Sequence, residues 1–211
     1  MQILFLDSVD STQTYLKNLL QDKNTRLPIA VVSRIQTNGI GSRDNSWQGI
    51  EGNLFLSFAI ELKELPEDLK LESASIYFAY LLKEILTDLD SKVWLKWPND
   101  FYLKDKKIGG MITNVVSNTI VCGVGINLIN SPENFDKLDI KISKNELLDK
   151  YFKSIEINVP WKKVFSKYKL EFLSNKNFFT HIVNRRVSLA DAILNDDGSI
   201  EVNGERIFGL R

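Results

Sequence analysis

The run Lys96-Trp97-Pro98-Asn99-Asp100, followed by Lys107-Ile108-Gly109-Gly110, gathers an ammonium, amide and carboxylate group where a strand must stop. Proline cannot donate to a ladder and keeps the residue before it extended, so Lys96, Asn99 and Asp100 fall at a strand end. A turn over Leu103 to Lys106 would fold Lys107 back beside Asn99 and Asp100. Lys107 then serves either as a solvated edge-strand lysine that discourages aggregation or as a fixed positive charge for an anionic ligand. The paired glycines favour the second use, because glycine within a strand costs stability and marks close approach to the backbone. Taken alone, the block describes a polar pocket at a strand end.

Three further segments carry polar groups in unusual places. Asp10-Ser11-Thr12-Gln13 lies at a strand-to-helix junction, where it can cap the helix or hold a small polar ligand. In Gln36-Thr37-Asn38-Gly39-Ile40-Gly41-Ser42-Arg43-Asp44-Asn45-Ser46-Trp47, alternate glycines let backbone amides approach an anion. Arg43 adds a forked cation and Trp47 a face that could cover a ring. This segment is neither a Walker loop nor a dinucleotide fingerprint, and it reads equally as a surface loop. In Gly123-Val124-Gly125-Ile126-Asn127, glycines again interrupt a strand, and Asn127 is either a turn residue or a ligand contact.

The rest of the sequence narrows the chemistry. There is one cysteine, Cys122, and one histidine, His181, among 211 residues. A Cys/His zinc site lacks ligands, and any histidine-dependent nucleophilic mechanism would have to use His181, which reads as a packing or surface residue. The lone cysteine fits a reducing compartment. Lys plus Arg and Asp plus Glu both number 27, so the basic excess typical of nucleic-acid binders is missing. No basic leader or membrane-length apolar run occurs, so a cytoplasmic protein is expected.

Periodicity supplies the elements. Strands are expected at Ile3 to Leu6, Ile29 to Ser33, Asn53 to Glu61, Lys92 to Trp97, Phe101 to Leu103, Lys107 to Val116 and Thr119 to Leu128. A loop is expected from Gln36 to Gly52. Helices are expected after Asp10 or Ser11, from about Leu71 to Leu89, after the capping box Ser143/Glu146, and after Pro160. Asp197-Gly198 and Asn203-Gly204 are hairpin signals in a short-stranded C-terminal piece. The class is α/β (α+β): a mixed, largely antiparallel sheet flanked by helices, with residues 1–180 as the main domain and 181–211 as a small β piece.

Taken together and in this order, the Lys96–Asp100 block, Lys107 with Gly109-Gly110, and Gly123 to Asn127 resemble the catalytic domain of biotin–protein ligases. Asp10 to Gln13 is similar to that family's biotin-contacting segment, and Gln36 to Trp47 to its glycine-arginine loop. The resemblance implies a fold related to class II aminoacyl-tRNA synthetases and lipoate ligases, with ATP, biotin and Mg²⁺ as the small molecules. It implies formation of biotinyl-5'-AMP, then transfer of biotin to a lysine of a biotin carboxyl carrier protein. Ser11, Thr12, Gln13 and Gln36 would hold the biotin head group. Gly39, Ile40, Gly41 and Ser42, part of the biotin site, would close over the acyl phosphate, and Gly110 would admit the biotin. Lys107 would act at the carboxylate and α-phosphate. Lys96, Asn99, Asp100, Asn127 and Trp47 would serve the nucleotide. Mg²⁺ would be held mainly through ATP phosphates.

The loop departs from the family, with Ile40 and Ser42 where arginines are usual; Arg43 is expected to take the anion-facing, catalytic role. The catalytic pattern starts near Met1 and leaves no room before it for the family's DNA-binding domain, so no DNA partner is expected. A membrane partner is not expected either, and the oligomer is a monomer or homodimer. The family's SH3-like C-terminal domain is shortened. The competing readings are a lipoate or octanoyl ligase on the same fold, and a non-catalytic biotin- or nucleotide-binding module. The first lacks its arginine-rich, histidine-containing motif here.

Overall fold

The computed structural model describes residues 1–41, 46–182 and 185–209. Runs of β-branched and aromatic residues build one large sheet. In chain order its strands are β1 (Gln2–Val9), β2 (Ile29–Ile40), β3 (Ser46–Gly49), β4 (Leu54–Glu61), β5 (Trp94–Lys96), β6 (Asp100–Leu103), β7 (Lys106–Val116) and β8 (Thr119–Ile126). The spatial order is β1-β2-β4-β8-β7-β6-β5, with β3 paired to β2 beyond the main path. β1 and β2 run parallel, while the other neighbours are antiparallel. The sheet is thus mixed and largely antiparallel, as the pattern predicted.

Helices cover the two faces unequally. The short α1 (Thr12–Leu19) begins at Ser11, whose hydroxyl accepts the Thr14 N–H. It seats Leu16 against Ile29, Val31, Ala59 and Val121. The other face carries α2 (Ala74–Asp88) and α3 (Lys144–Glu156), the latter capped by Ser143. Phe58 of β4 meets Phe78, Tyr151 and Phe152 edge-on there, a geometry that rings favour beyond simple burial. Burial on nearly every side of α2 explains why its sequence is apolar all round. The expected helix start at Leu71 is instead a 3₁₀ turn, Leu71–Ser73. α4 (Trp161–Glu171) follows Pro160 as expected.

The described residues of the expected loop from Gln36 to Gly52 are mostly strand. β2 continues through Gln36 to Ile40, and β3 returns beside it with Gly39 facing Trp47 and Ile40 facing Ser46. This ribbon projects beyond the rest of the sheet. With little to bury, its sequence lacks the apolar alternation by which strands are recognised.

After α4 comes a 3₁₀ turn, Phe172–Asn177. Then follow β9 (Phe179–Ile182) and β10 (Arg185–Ser188) as a hairpin, and the three-stranded set β11 (Ile193–Leu194), β12 (Ile200–Val202) and β13 (Glu205–Ile207). Gly198, Asn203 and Gly204 take positive φ at the two predicted turns. The expected boundary at residue 180 falls inside β9. Leu189, Ala192, Ile200 and Ile207 join the main core rather than forming a separate one.

Asp197 anchors this region. Its carboxylate accepts from Ser199 N, Ser199 Oγ and the Arg206 guanidinium, and its backbone carbonyl accepts from Ser73 Oγ at the start of α2. Burial pushes the carboxyl up, but the Ser199 hydrogen bonds and the Arg206 charge outweigh it and hold it below its ordinary value. A group depressed in the folded state stabilises fully above its unfolded pKa, about 3.9. That stabilisation is lost as pH falls through the lower folded value. The stability gap between wild type and Asp197→Asn is therefore predicted to be constant above about pH 5 and to shrink toward pH 2, measured by urea unfolding. A gap independent of pH would contradict this assignment.

Candidate active site

Two neighbouring strands supply a floor largely bare of side chains, with Ile112 at its margin. Lys96 faces Asp100 across β5 and β6. Asp100 faces Gly110 across β6 and β7, and Gly110 faces Gly125 across β7 and β8. Gly123, two residues along β8, points to the same face as Gly125 because strand side chains alternate. These glycines are required by close approach. An added Cβ at Gly123 would stand 2.2 Å from Gln13 Oε1, and one at Gly125 would stand 2.7 Å from the Trp47 indole. The strip they leave is the base of a cavity of about 50 Å³ that opens to solvent.

One end of the strip is charged. Lys107 Nζ lies 2.6 Å from Asp100 Oδ1, so the turn over residues 104 and 105 does fold Lys107 back as predicted. Both groups sit above Gly110, where a Cβ would come within 3.1 Å of Asp100 Oδ1 and 3.4 Å of Lys107 Nζ. Lys96 Nζ stands 5.2 Å over the Tyr102 ring. Burial, with the Asp100 charge added, raises the Tyr102 phenol well above its usual value, so it stays protonated.

The other end is a chain of neutral polar groups. Gln36 Oε1 accepts from Thr12 N (2.8 Å) and Thr12 Oγ1 (3.0 Å). Thr12 Oγ1 lies 2.9 Å from Ser57 Oγ. Ser57 Oγ donates to Gln13 Oε1, and Gln13 Nε2 donates to Asn114 Oδ1. The start of α1 thus presents Thr12 and Gln13 to the sheet face, where β2 and β4 meet them with Gln36 and Ser57. Trp47 closes the side: its indole rests on Gly125 and meets Phe135 edge-on. Trp47 Nε1 is buried without a partner, a donor left for a ligand to satisfy.

Ser11, Thr12, Gln13, Gln36, Ile40 and Gly41 from the expected biotin-binding set line this cavity, as do Trp47, Asp100, Lys107 and Gly110. Gly39 lies just outside it, packed on the Trp47 carbonyl. Ser42 and Arg43 lie outside the described residues. Lys96, Asn99 and Asn127 are not in the lining. Asn99 is buried; its side-chain Nδ2 donates to the Met111 carbonyl and its backbone carbonyl accepts from Met111 N–H, while its Oδ1 has no partner. Asn127 works in a loop that supports Lys107. Its amide donates to Asp136 O, and Asp136 N donates to Lys107 O. Asn53, buried beneath that loop, accepts the N–H groups of Leu128, Ile129 and Asn130 with one oxygen. Ser57 and Asn114 were not anticipated. A lone hydroxyl at Ser57, within the apolar run Leu54 to Ile60, was the signal available for the first.

The arrangement suits binding and charge stabilisation rather than covalent attack. Cys122 is buried, with its thiol pushed well up by burial. His181 is exposed on β9 and pairs with Arg186 across the hairpin. What remains is a flat slot, a hydrogen-bonding end wall for a small neutral ring, and an ammonium at the opposite end for an anion.

Known proteins resemble this chain in sequence and in fold. The profile of the Biotin/lipoate A/B protein ligase family matches residues 5–128. A Bifunctional ligase/repressor BirA from Salmonella typhimurium is 33% identical over 133 residues, covering 60% of this chain and 40% of the relative. The chain therefore spans well under half of that protein's length. The crystal structure of a biotin acetyl coenzyme A carboxylase synthetase from Helicobacter pylori with bound biotinylated ATP is 40% identical. It superposes with a TM-score of 0.94, covering 98% of this chain and 99% of that one. A biotin protein ligase from Aquifex aeolicus in complex with biotin and ATP, 22% identical over 100% of this chain and 96% of that one, shares the fold with a TM-score of 0.77.

The glycine floor generates a prediction of its own. Gly125→Ala must expel the Trp47 indole, shifting tryptophan emission to the red as the ring reaches water. The same substitution in a Trp47→Phe background should give no shift, and equal shifts in both backgrounds would contradict the packing.

Proposed function

This chain belongs to the Biotin/lipoate A/B protein ligase family, and from that premise we propose that it activates biotin with ATP and transfers it to a lysine of a biotin carboxyl carrier protein. The observation that carries the proposal is the slot itself, with Thr12, Gln36 and Ser57 at one end and Lys107 with Asp100 at the other. Biotin has that polarity. Its ureido ring offers N–H donors and a carbonyl to the polar wall, and its carboxylate lies a short chain away, toward the ammonium.

In the first half-reaction a biotin carboxylate oxygen bonds to the α-phosphorus of ATP and pyrophosphate leaves with its electron pair. The carboxylate and the triphosphate repel each other, so bringing them together is the main difficulty, and a fixed cation relieves it. Lys107 supplies that cation, held by Asp100 in the free protein. In the second half-reaction a deprotonated lysine amine of the acceptor attacks the acyl carbon, and AMP departs. Neither step needs a histidine or cysteine. Mg²⁺ enters with the ATP phosphates; among the described residues no group of three or more His, Cys, Asp or Glu is placed to hold a metal. Trp47 must leave its seat on Gly125 for a bicyclic ring to enter, since sites for ligands of this size run to roughly 300 Å³ or more. Ile40, Gly41, Ser42 and Arg43 would then close over the acyl phosphate, with Arg43 facing the anion. Lys96, Asn99 and Asn127 are proposed for the nucleotide side.

Residues 1–180 carry every group named, and the cytoplasm is the compartment where ATP and the acceptor meet. No helix of the described residues is long and apolar enough to cross a membrane. An octanoyl or lipoyl chain fits the slot less well. Its hydrocarbon end would press on the Thr12–Gln36–Ser57 wall and leave polar groups unsatisfied, at about 1–3 kcal/mol each.

The test is incubation with ATP, Mg²⁺, biotin and a biotin-acceptor domain, scoring labelled acceptor. Lys107→Ala is expected to lower biotinyl-5'-AMP formation by roughly a hundredfold or more, while leaving the fold intact. Unlabelled acceptor despite intact biotin binding would instead support a binding module, and a Lys107→Ala enzyme with wild-type turnover would remove Lys107 from the chemistry.

A further inference from the structure

Among the described strands β5 pairs with β6 alone, so its outer edge needs other partners for its backbone groups. That edge is closed by a side chain from far along the sequence. Asn175, in the 3₁₀ turn after α4, is fully buried. Its Oδ1 accepts the Trp97 N–H at 2.7 Å, and its Nδ2 donates to the Leu95 carbonyl at 3.3 Å. In a strand, the C=O of one residue and the N–H of the residue two further on point to the same side. An asparagine amide offers one donor and one acceptor at the spacing of a neighbouring peptide group, so Asn175 stands in for a missing strand. The residue between its two grips is Lys96.

Two more contacts from the C-terminal region hold the same run. Trp97 Nε1 donates to the Gly198 carbonyl at 2.8 Å. Gly209 lies so close to Pro98 that an added Cβ would stand 2.6 Å from the proline Cβ. Beyond Pro98 the chain enters the site directly. Asn99 exchanges backbone and side-chain hydrogen bonds with Met111, and Asp100 pairs with Lys107.

We propose that Asn175 is a positioning residue for the reaction: by closing the edge of β5 it fixes the Trp97–Pro98 step, and through it the Asp100–Lys107 pair. This rests on the functional reading above. It gives the region after α4 a role in the first half-reaction, although none of its described residues lines the cavity. The polar wall at Thr12, Gln36 and Ser57 stands on other strands, so biotin recognition should not depend on Asn175.

The full-length chain is compared with Asn175→Ala and Asn175→Asp, the latter keeping the acceptor for Trp97 N–H but not the donor to Leu95. The measurements are kcat and KM for biotin in biotinyl-5'-AMP formation, the folded fraction by near-UV circular dichroism, and amide hydrogen exchange across residues 95–111. For Asn175→Ala, kcat per folded molecule should fall roughly ten- to a hundredfold, with the Asp variant between. KM should stay within about twofold. Exchange should quicken at Met111 as well as Trp97. A kcat per folded molecule within about twofold of wild type, or Met111 exchange unchanged, overturns the proposal. If Asn175→Ala does not fold, the Asp variant decides by the same criteria. If the wild-type protein makes no adenylate, the functional reading fails, and Met111 exchange alone then decides whether Asn175 positions the pair.

Discussion

A ring can approach the backbone of a β-sheet closely only where the facing residues are small, and strands that supply such a strip give up packing they would otherwise have there. Gly110, Gly123 and Gly125 make this concession on β7 and β8. The loss is concentrated on one face. On the opposite face Phe58 meets Phe78, Tyr151 and Phe152, and the strands that are bare on the slot side bury Met111, Cys122 and Val124 behind. That asymmetry explains the uneven helix cover: a short α1 beside the slot, and α2 and α3 filling the back.

The second consequence is that the charged end of the slot hangs on the weakest part of the sheet. β5 and β6 are short, and β5 is an edge. Asparagine side chains make up the missing backbone partners. Asn53 gathers three N–H groups of the loop after β8, whose further course reaches the Lys107 carbonyl through Asp136. Asn175 does the corresponding work outside Lys96. Buried amides of this kind suit the task because each supplies a donor and an acceptor without a charge to desolvate.

Much of this was legible in the sequence because the relevant signals are local. Pro98 marks a strand end, Gly109-Gly110 and Gly123-x-Gly125 mark close approach, and the turn before Lys107 returns it to Asp100. The hairpin turns at Asn203-Gly204 and the caps at Ser11 and Ser143 are local for the same reason. What escaped was non-local or unpatterned. The ribbon formed by Gln36 to Ile40 and Ser46 to Gly49 buries little, so it shows no period of two even though its backbone pairs. Ser57 and Asn114 matter through partners on α1, and Asn175 through a strand 78 positions earlier. Nothing within the 3₁₀ turn distinguishes that asparagine from Asn177 beside it.

The central claim is that the slot joins a ring-recognising wall to a carboxylate-activating cation. It is tested most directly by isotope exchange between pyrophosphate and ATP, which reports formation and reversal of an acyl-adenylate without any acceptor protein. The account predicts exchange that depends on biotin and is not supported by octanoate or lipoate. Exchange driven by octanoate or lipoate in place of biotin, or none with biotin bound, would contradict it.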